Sequence, residues 1–317
     1  MLRRKIIVVI FSALLLTVQI GCSTVSNKNA TDVSGKSKQS TNNVGNKKLG
    51  DKQKYIIDEF NNLIAKDVMI SNVVAFIDRN ISSVSPENAS TMIINLEEAQ
   101  KEYLPKLEEK INASDAVRKN IEIEHGYALD INKADSIEDK ELKKLLIDMR
   151  DNGFKFETIE GYYFPVINYE FYKKYNLYVT NDIKMYIDIM EVESNKVPAK
   201  DAAIIISWDE VLKRAQNQEK FINKYGESTR IDEVKQLYKR YVYLALYGAD
   251  NTPLFSYDQK VMVPKAKSSY LRAVANSEGS EFMKLITEFI QVLEKNDYKL
   301  TNDVENFRKN ALENIQQ

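Results

Sequence analysis

In residues 280–295, SEFMKLITEFIQVLEK, the apolar residues Phe282, Leu285, Ile286, Phe289, Ile290 and Leu293 recur at steps of three and four. That spacing gathers them on one face of an α-helix. Val234, Leu237, Tyr238, Tyr241, Leu244 and Ala245 follow the same step, as do Leu142, Leu145, Leu146 and Met149. With only ten glycines and six prolines in 317 residues, the chain lacks the turns that a strand-rich fold consumes, and a mainly-α, multi-helix body is expected. Start signals agree. Ser207-Trp208-Asp209-Glu210 has the form of a capping box, and Ser85-Pro86 joins an N-cap to a proline at the first helical position. Gly153, Gly226 and Gly248 stand where periodic runs end. Helices are predicted over 51–80, 86–111, 114–126, 137–151, 181–194, 207–225, 229–247, 263–276, 280–295 and 301–315.

One segment departs from this period. In FKFETIEGYYFPVINYEFYKKY, residues 154–175, Phe154, Phe156 and Thr158 alternate with Lys155 and Glu157 before Glu160-Gly161. The alternation predicts a small β-hairpin near 154–167, stable only under cover of helices. Leu254–Val263 is a second candidate for extended chain. A boundary near residue 152 would divide the body into an N-terminal helical region, 51–152, and an aromatic-rich helical region, 153–317.

The N-terminal 50 residues follow different rules. Arg3, Arg4 and Lys5 precede an apolar run from Ile6 to Ile20, which includes Ser12, Thr17 and Gln19. At 15 residues the run is shorter than the roughly 20 needed to span a bilayer core, and its order is that of a secretory signal, residues 1–21. It ends at Gly21-Cys22, and Cys22 is the only cysteine in the chain. This arrangement resembles the lipobox of bacterial lipoproteins, with Gln19 where leucine is usual. The resemblance implies cleavage between Gly21 and Cys22 and a diacylglyceryl group on Cys22, so that a membrane is the first expected partner. Residues 23–50 contain no aromatic residue and are rich in Ser, Thr, Asn, Lys and Gly, the composition of a disordered tether running from the lipidated Cys22 to residue 50. As a flexible coil it would reach on the order of 30 Å.

The whole chain carries −1; the signal contributes +3 and the tether +4, which leaves −8 on residues 51–317. An acidic body argues against nucleic acid as a partner. Past Cys22 there is one histidine, His125, and no further cysteine, so Cys/His metal sites and His-based nucleophilic arrangements lack parts. His125 reads as a dipole-compensating residue in the last turn of a helix. No glycine-rich phosphate loop, metal set or cofactor motif is found. Glu193-Ser194, with Pro198 beyond, matches part of the lytic transglycosylase pattern, but Lys196 replaces the aromatic residue and the downstream glycine-rich segment has no counterpart. Glu193 is accordingly expected to be a solvated helix end, and no catalytic residue is assigned.

Tyrosine is the more informative residue, since 13 of the 18 fall between Tyr162 and Tyr257. Its flat face and hydroxyl suit recognition as well as core packing. Tyr162, Tyr163 and Tyr169, with Glu160 and Glu170 beside them, form the candidate ligand surface, directed at a protein, peptide or glycan. The blocks GYYFPVINYEFYKKY, TNDIKMYIDIMEVESNKVPAKDAAI and TPLFSYDQKVMVPKAKSSYL, together with the lipobox, resemble a family of uncharacterised lipoproteins of Bacillus, Clostridium and their relatives. The resemblance implies a helical body on the outer face of the cell membrane and transfers no activity. The expectation is a non-enzymatic binding or scaffolding module without a cofactor. Two alternatives stand beside it: the substrate receptor of an ABC importer, and a glycan-cleaving enzyme of the cell wall.

Overall fold

The computed structural model describes residues 42–65, 69–114, 119, 121, 130–159, 162–275 and 279–316. The signal, Gly21, Cys22 and most of the tether therefore lie outside the described residues, as do His125, Glu160 and nearly all of the helix expected over 114–126. The fold is mainly α, with three two-stranded antiparallel sheets among the described residues. The helices given in full by the described residues are α1 (Asn42–Ile64), α2 (Ile70–Asn80), α3 (Pro86–Asn112), α4 (Lys140–Asp151), α5 (Asn181–Asn195), α6 (Trp208–Lys224), α7 (Ile231–Tyr247), α8 (Pro264–Ala275), α9 (Glu281–Lys295) and α10 (Asn302–Gln316). Among the described residues no helix is long and apolar enough to cross a membrane.

Two differences from the expected boundaries have clear causes. The helix expected over 51–80 is interrupted between Ile64 and Ile70, and the Phe60 and Phe76 rings come within 5.9 Å. One straight helix would hold them about 24 Å apart, at 1.5 Å per residue. Folding α2 back lets Phe60, Val73 and Ile77 share one buried cluster. At the other end α1 begins at Asn42, so the expected break at residue 50 falls within a helix. Extending a formed helix adds one hydrogen bond per residue fixed, whereas starting one does not.

The caps largely follow the sequence. Ser85 Oγ accepts from Asn88 N at 3.4 Å and Ser207 Oγ from Glu210 N at 3.2 Å. The capping box is only half realised, because the Glu210 carboxylate binds Arg214 Nε at 3.0 Å instead of reaching back. Gly153 and Gly248 take φ of +75° and +82°; Gly226 does not adopt this conformation, and α6 ends at Lys224. Gly153 is also a close approach, since a Cβ there would stand 2.6 Å from Gln100 Nε2 and 2.8 Å from the Phe171 ring.

The hairpin forms as β1 (Phe154–Ile159) and β2 (Tyr162–Ile167), with Phe154 opposite Ile167 and Ile159 opposite Tyr162. It packs against α3 and α4, which supply the cover a lone hairpin lacks. Small pairs β3 (Ala199–Lys200) with β4 (Ala203–Ile204) and β5 (Gly248–Ala249) with β6 (Thr252–Pro253) brace the loops. Beyond β6 the chain is partly extended, through bridges from Phe255 to Met262 and from Val261 to Lys299. Residues 47–316 belong to one compact unit that holds two apolar clusters. The boundary expected near 152 does not separate them, because Met149 and Phe154 lie in the same cluster. Apart from Phe221 and Val234, the first cluster is drawn from residues up to Ile189, and the second begins at Ile206.

α6 and α7 serve both. Val211, Leu212 and Ala215 belong to the second cluster and Phe221 to the first; on α7 the order reverses, with Val234 in the first and Tyr241 to Leu246 in the second. The two helices are therefore antiparallel neighbours. Where α6 passes from one cluster to the other it buries Arg214, Gln218 and Glu219, a polar seam between two apolar cores.

Candidate functional site

The structure disperses the tyrosine surface expected from sequence. Adjacent strand residues point to opposite faces. Tyr162 is accordingly 51% exposed, with its hydroxyl accepting from Asn112 Nδ2 at 3.0 Å, while Tyr163 turns inward, edge-on to Phe156. Residues Tyr169–Tyr175 form a 3-10 helix, whose three-residue period brings Tyr169, Tyr172 and Tyr175 onto one buried face. Glu170 on the same turn is exposed. Tyr163 and Tyr169 are core residues, and only Tyr162 and Glu170 of the described candidates reach solvent.

These tyrosines enclose a buried carboxylate. Glu97, 2% exposed on α3, accepts from Tyr169 Oη and, at 2.6 Å, from Tyr186 Oη; it also pairs with Arg230 Nη2 at 2.7 Å and Lys101 Nζ at 3.0 Å. Burial, together with the nearby carboxylate, pushes the Tyr169 and Tyr186 hydroxyls well above the usual tyrosine range, which keeps them protonated as donors. Tyr172 Oη donates to Gln100 Oε1, and Gln100 Nε2 donates to the Asn152 carbonyl at 2.6 Å. The network reaches the surface through Lys101 and ends at the Asn152 carbonyl.

A surface cavity of about 470 Å³ lies at the polar seam, between α5, the 3-10 turn and α6. Its volume falls in the range typical of small-molecule sites. On α5, Met185, Ile189 and Val192 supply an apolar stripe, with Asp188, Glu191 and Glu193 beside it; Lys173 comes from the 3-10 turn, and Arg214, Asn217 and Gln218 from α6. Glu193 is no solvated helix end. Its side chain is 10% exposed, and Tyr241 Oη donates to Oε1 at 2.7 Å and reaches Oε2 at 2.8 Å. Arg214 Nη1 approaches Glu193 at 3.5 Å, donates to Tyr241 Oη at 3.0 Å and to the Lys196 carbonyl at 2.8 Å. Burial raises the Glu193 carboxyl above its ordinary range, against the opposing pull of Tyr241 and Arg214. The same desolvation raises the Tyr241 hydroxyl.

Gln218 differs from its neighbours. It lines the cavity and is 1% exposed, yet neither its Nε2 nor its Oε1 has a hydrogen-bond partner among the described residues. Each buried polar group left in this state costs about 1–3 kcal/mol. Reading the sequence for catalytic motifs passed over both Arg214 and Gln218. A signal was present, since Val211, Ala215, Gln218 and Ile222 follow the helical step of four, three and four, and Gln218 puts an amide where the period calls for an apolar residue. Among the described residues no group of three or more His, Cys, Asp or Glu side chains is placed to hold a metal ion. The site is a partly apolar cavity with a fixed carboxylate and a buried guanidinium, and the Gln218 amide is enclosed in the fold beside it. Compared with known protein families, curated proteins and solved structures, the chain matches none.

Proposed function

We propose that this chain is a lipid-anchored, extracytoplasmic binding protein without catalytic activity of its own, and that it holds a small ligand in the α5–α6 cavity. The cavity itself carries the binding half of the reading: about 470 Å³ lined by the apolar stripe of Met185, Ile189 and Val192, with Glu193 and Arg214 held beside it. Gln218→Leu, nearly volume-conserving, should raise the unfolding free energy of the ligand-free protein by about 1–2 kcal/mol in urea titrations. A fall in stability would mean that the amide is satisfied within the fold; the site itself would be removed if Ile189→Trp, which fills the cavity, left small-molecule capture by the folded protein unchanged.

The anchoring half rests on the signal-like N-terminus and the Gly21-Cys22 pair. Metabolic labelling with a fatty-acid probe should mark the wild-type protein in the membrane fraction, and Cys22→Ala should abolish the label and leave the precursor uncut or released. Equal labelling of the variant would refute the anchor. Small two-stranded sheets in place of a βα framework weigh against the importer-receptor alternative. Glycan cleavage with Glu193 as acid and base is favoured by one observation, the upward shift of a carboxyl that lines a cavity. Tyr241, however, engages both oxygens of Glu193. Turnover of wall glycan by the wild type that is lost in Glu193→Gln would put this reading in place of the first.

A further inference from the structure

We infer that the ligand of the α5–α6 cavity is an uncharged, linear aliphatic chain laid along α5. This rests on the cavity reading above and adds its chemistry. Met185, Ile189 and Val192 follow one another at steps of four and three, which sets them in one row along an edge of the helix. Ile189 is buried, Met185 half-buried and Val192 exposed. At about 1.5 Å per residue the row is about 10 Å long. An extended alkyl chain, with C–C bonds of about 1.5 Å, advances about 1.25 Å per carbon, so about eight carbons match it.

The charged part of the lining is already balanced. Its members are Lys173, Asp188, Glu191, Glu193 and Arg214, and each has an opposite charge beside it. Lys173 Nζ binds Glu191 at 2.8 Å and also acts on Asp188, which accepts from Asn176 Nδ2 at 3.3 Å. Glu193 is held by Tyr241 and Arg214, and Arg240 acts on it from α7. Arg214 binds Glu210 at 3.0 Å as well, and Lys155 acts on Glu191 from β1. A charged ligand would have to break one of these pairs or lose its hydration without gaining a partner. An uncharged chain meets neither cost, and each methylene that it lays on the row leaves water. The Gln218 amide, enclosed in the fold, takes no part.

The test follows the Met185 methyl, which belongs to the row itself, by NMR of the full chain labelled at its methionine methyls, with Met185→Leu to assign the signal. Butanol, pentanol, hexanol and octanol should shift it, with affinity rising about two- to fourfold per added methylene, and decanol should gain no more because the row has ended. Hexylammonium and hexanoate should bind no more tightly than hexanol. Val192→Asp, at an exposed position, should weaken hexanol binding by about threefold or more, with circular dichroism showing that the variant is folded. Affinity independent of chain length, or a charged probe about tenfold tighter than hexanol, would overturn the class and leave the cavity standing. Equal binding of neopentyl alcohol and its linear isomer pentanol would overturn the linear chain in favour of a compact branched group. If no probe moves the methyl, the class falls, and small-molecule capture by Ile189→Trp decides whether the cavity reading falls with it.

Discussion

Arg230→Met is expected to lower the unfolding free energy by about 3–5 kcal/mol, the cost of leaving a buried charge without its partner. Arg230 is 5% exposed and binds Glu97 at 2.7 Å, Glu98 at 2.7 Å and Glu233 at 2.6 Å, with its Cζ 5.5 Å from the centre of the Tyr186 ring. Burial works against its positive charge, and the surrounding carboxylates more than restore it, so the group remains protonated throughout the accessible pH range. Without it Glu97 keeps two tyrosine hydroxyls and Lys101, whose side chain is 39% exposed and screened by water. Pairing the change with Glu97→Gln should recover a large part of the loss, because the neutral carbonyl still accepts from Tyr169 and Tyr186. A double-mutant cycle measured by urea unfolding reads the coupling directly. Additive losses would show that the two groups do not depend on one another.

Tyr169→Ala should destabilise by a comparable amount, about 3–5 kcal/mol, while Tyr162→Ala should stay within about 0.5 kcal/mol. The Tyr169 ring is stacked on Tyr172 at 5.6 Å and meets Tyr186 edge-on at 6.4 Å, so truncation removes packing and a hydrogen bond to Glu97 together. Tyr169→Phe isolates the second contribution and should cost about 1–2 kcal/mol. Thermal melts of the three variants, side by side, check the assignment of one tyrosine to the core and the other to the surface. Equal melting temperatures for Tyr169→Ala and Tyr162→Ala would contradict it.

The two cases share a cause. Tyr162, Tyr163 and Tyr169 look alike in sequence because each is an aromatic residue near a turn. What separates them is the period of the local backbone: two along the strand, three along the 3-10 turn. The alternation of Phe154 and Phe156 made the first period legible. The second was present in the spacing of Tyr169, Tyr172 and Tyr175, but a three-residue step also fits an α-helical face and so could not be assigned from the sequence. Glu97 was hidden more completely. Apart from Lys101 on the same helix, its partners are 72, 89 and more than 100 residues away, and nothing in the neighbourhood of a helical glutamate announces contacts at that separation.

By itself, then, the sequence determined that the body is helical, roughly where most of its helices begin and end, and that one hairpin interrupts them. These properties are set by short-range forces: capping hydrogen bonds, the step of apolar side chains and the conformational limits of Gly153 and Gly248. Tertiary structure decided which polar residues are buried. It turned Glu193 from a free helix end into a member of a hydrogen-bonded group with Tyr241 and Arg214, and it enclosed the Gln218 amide with no partner among the described residues. It also set the seam at α5–α6, because the two apolar clusters meet where α6 and α7 cross from one to the other. Desolvation and pairing depend on what the rest of the chain brings within a few ångströms, and that distance is fixed only once the helices have packed.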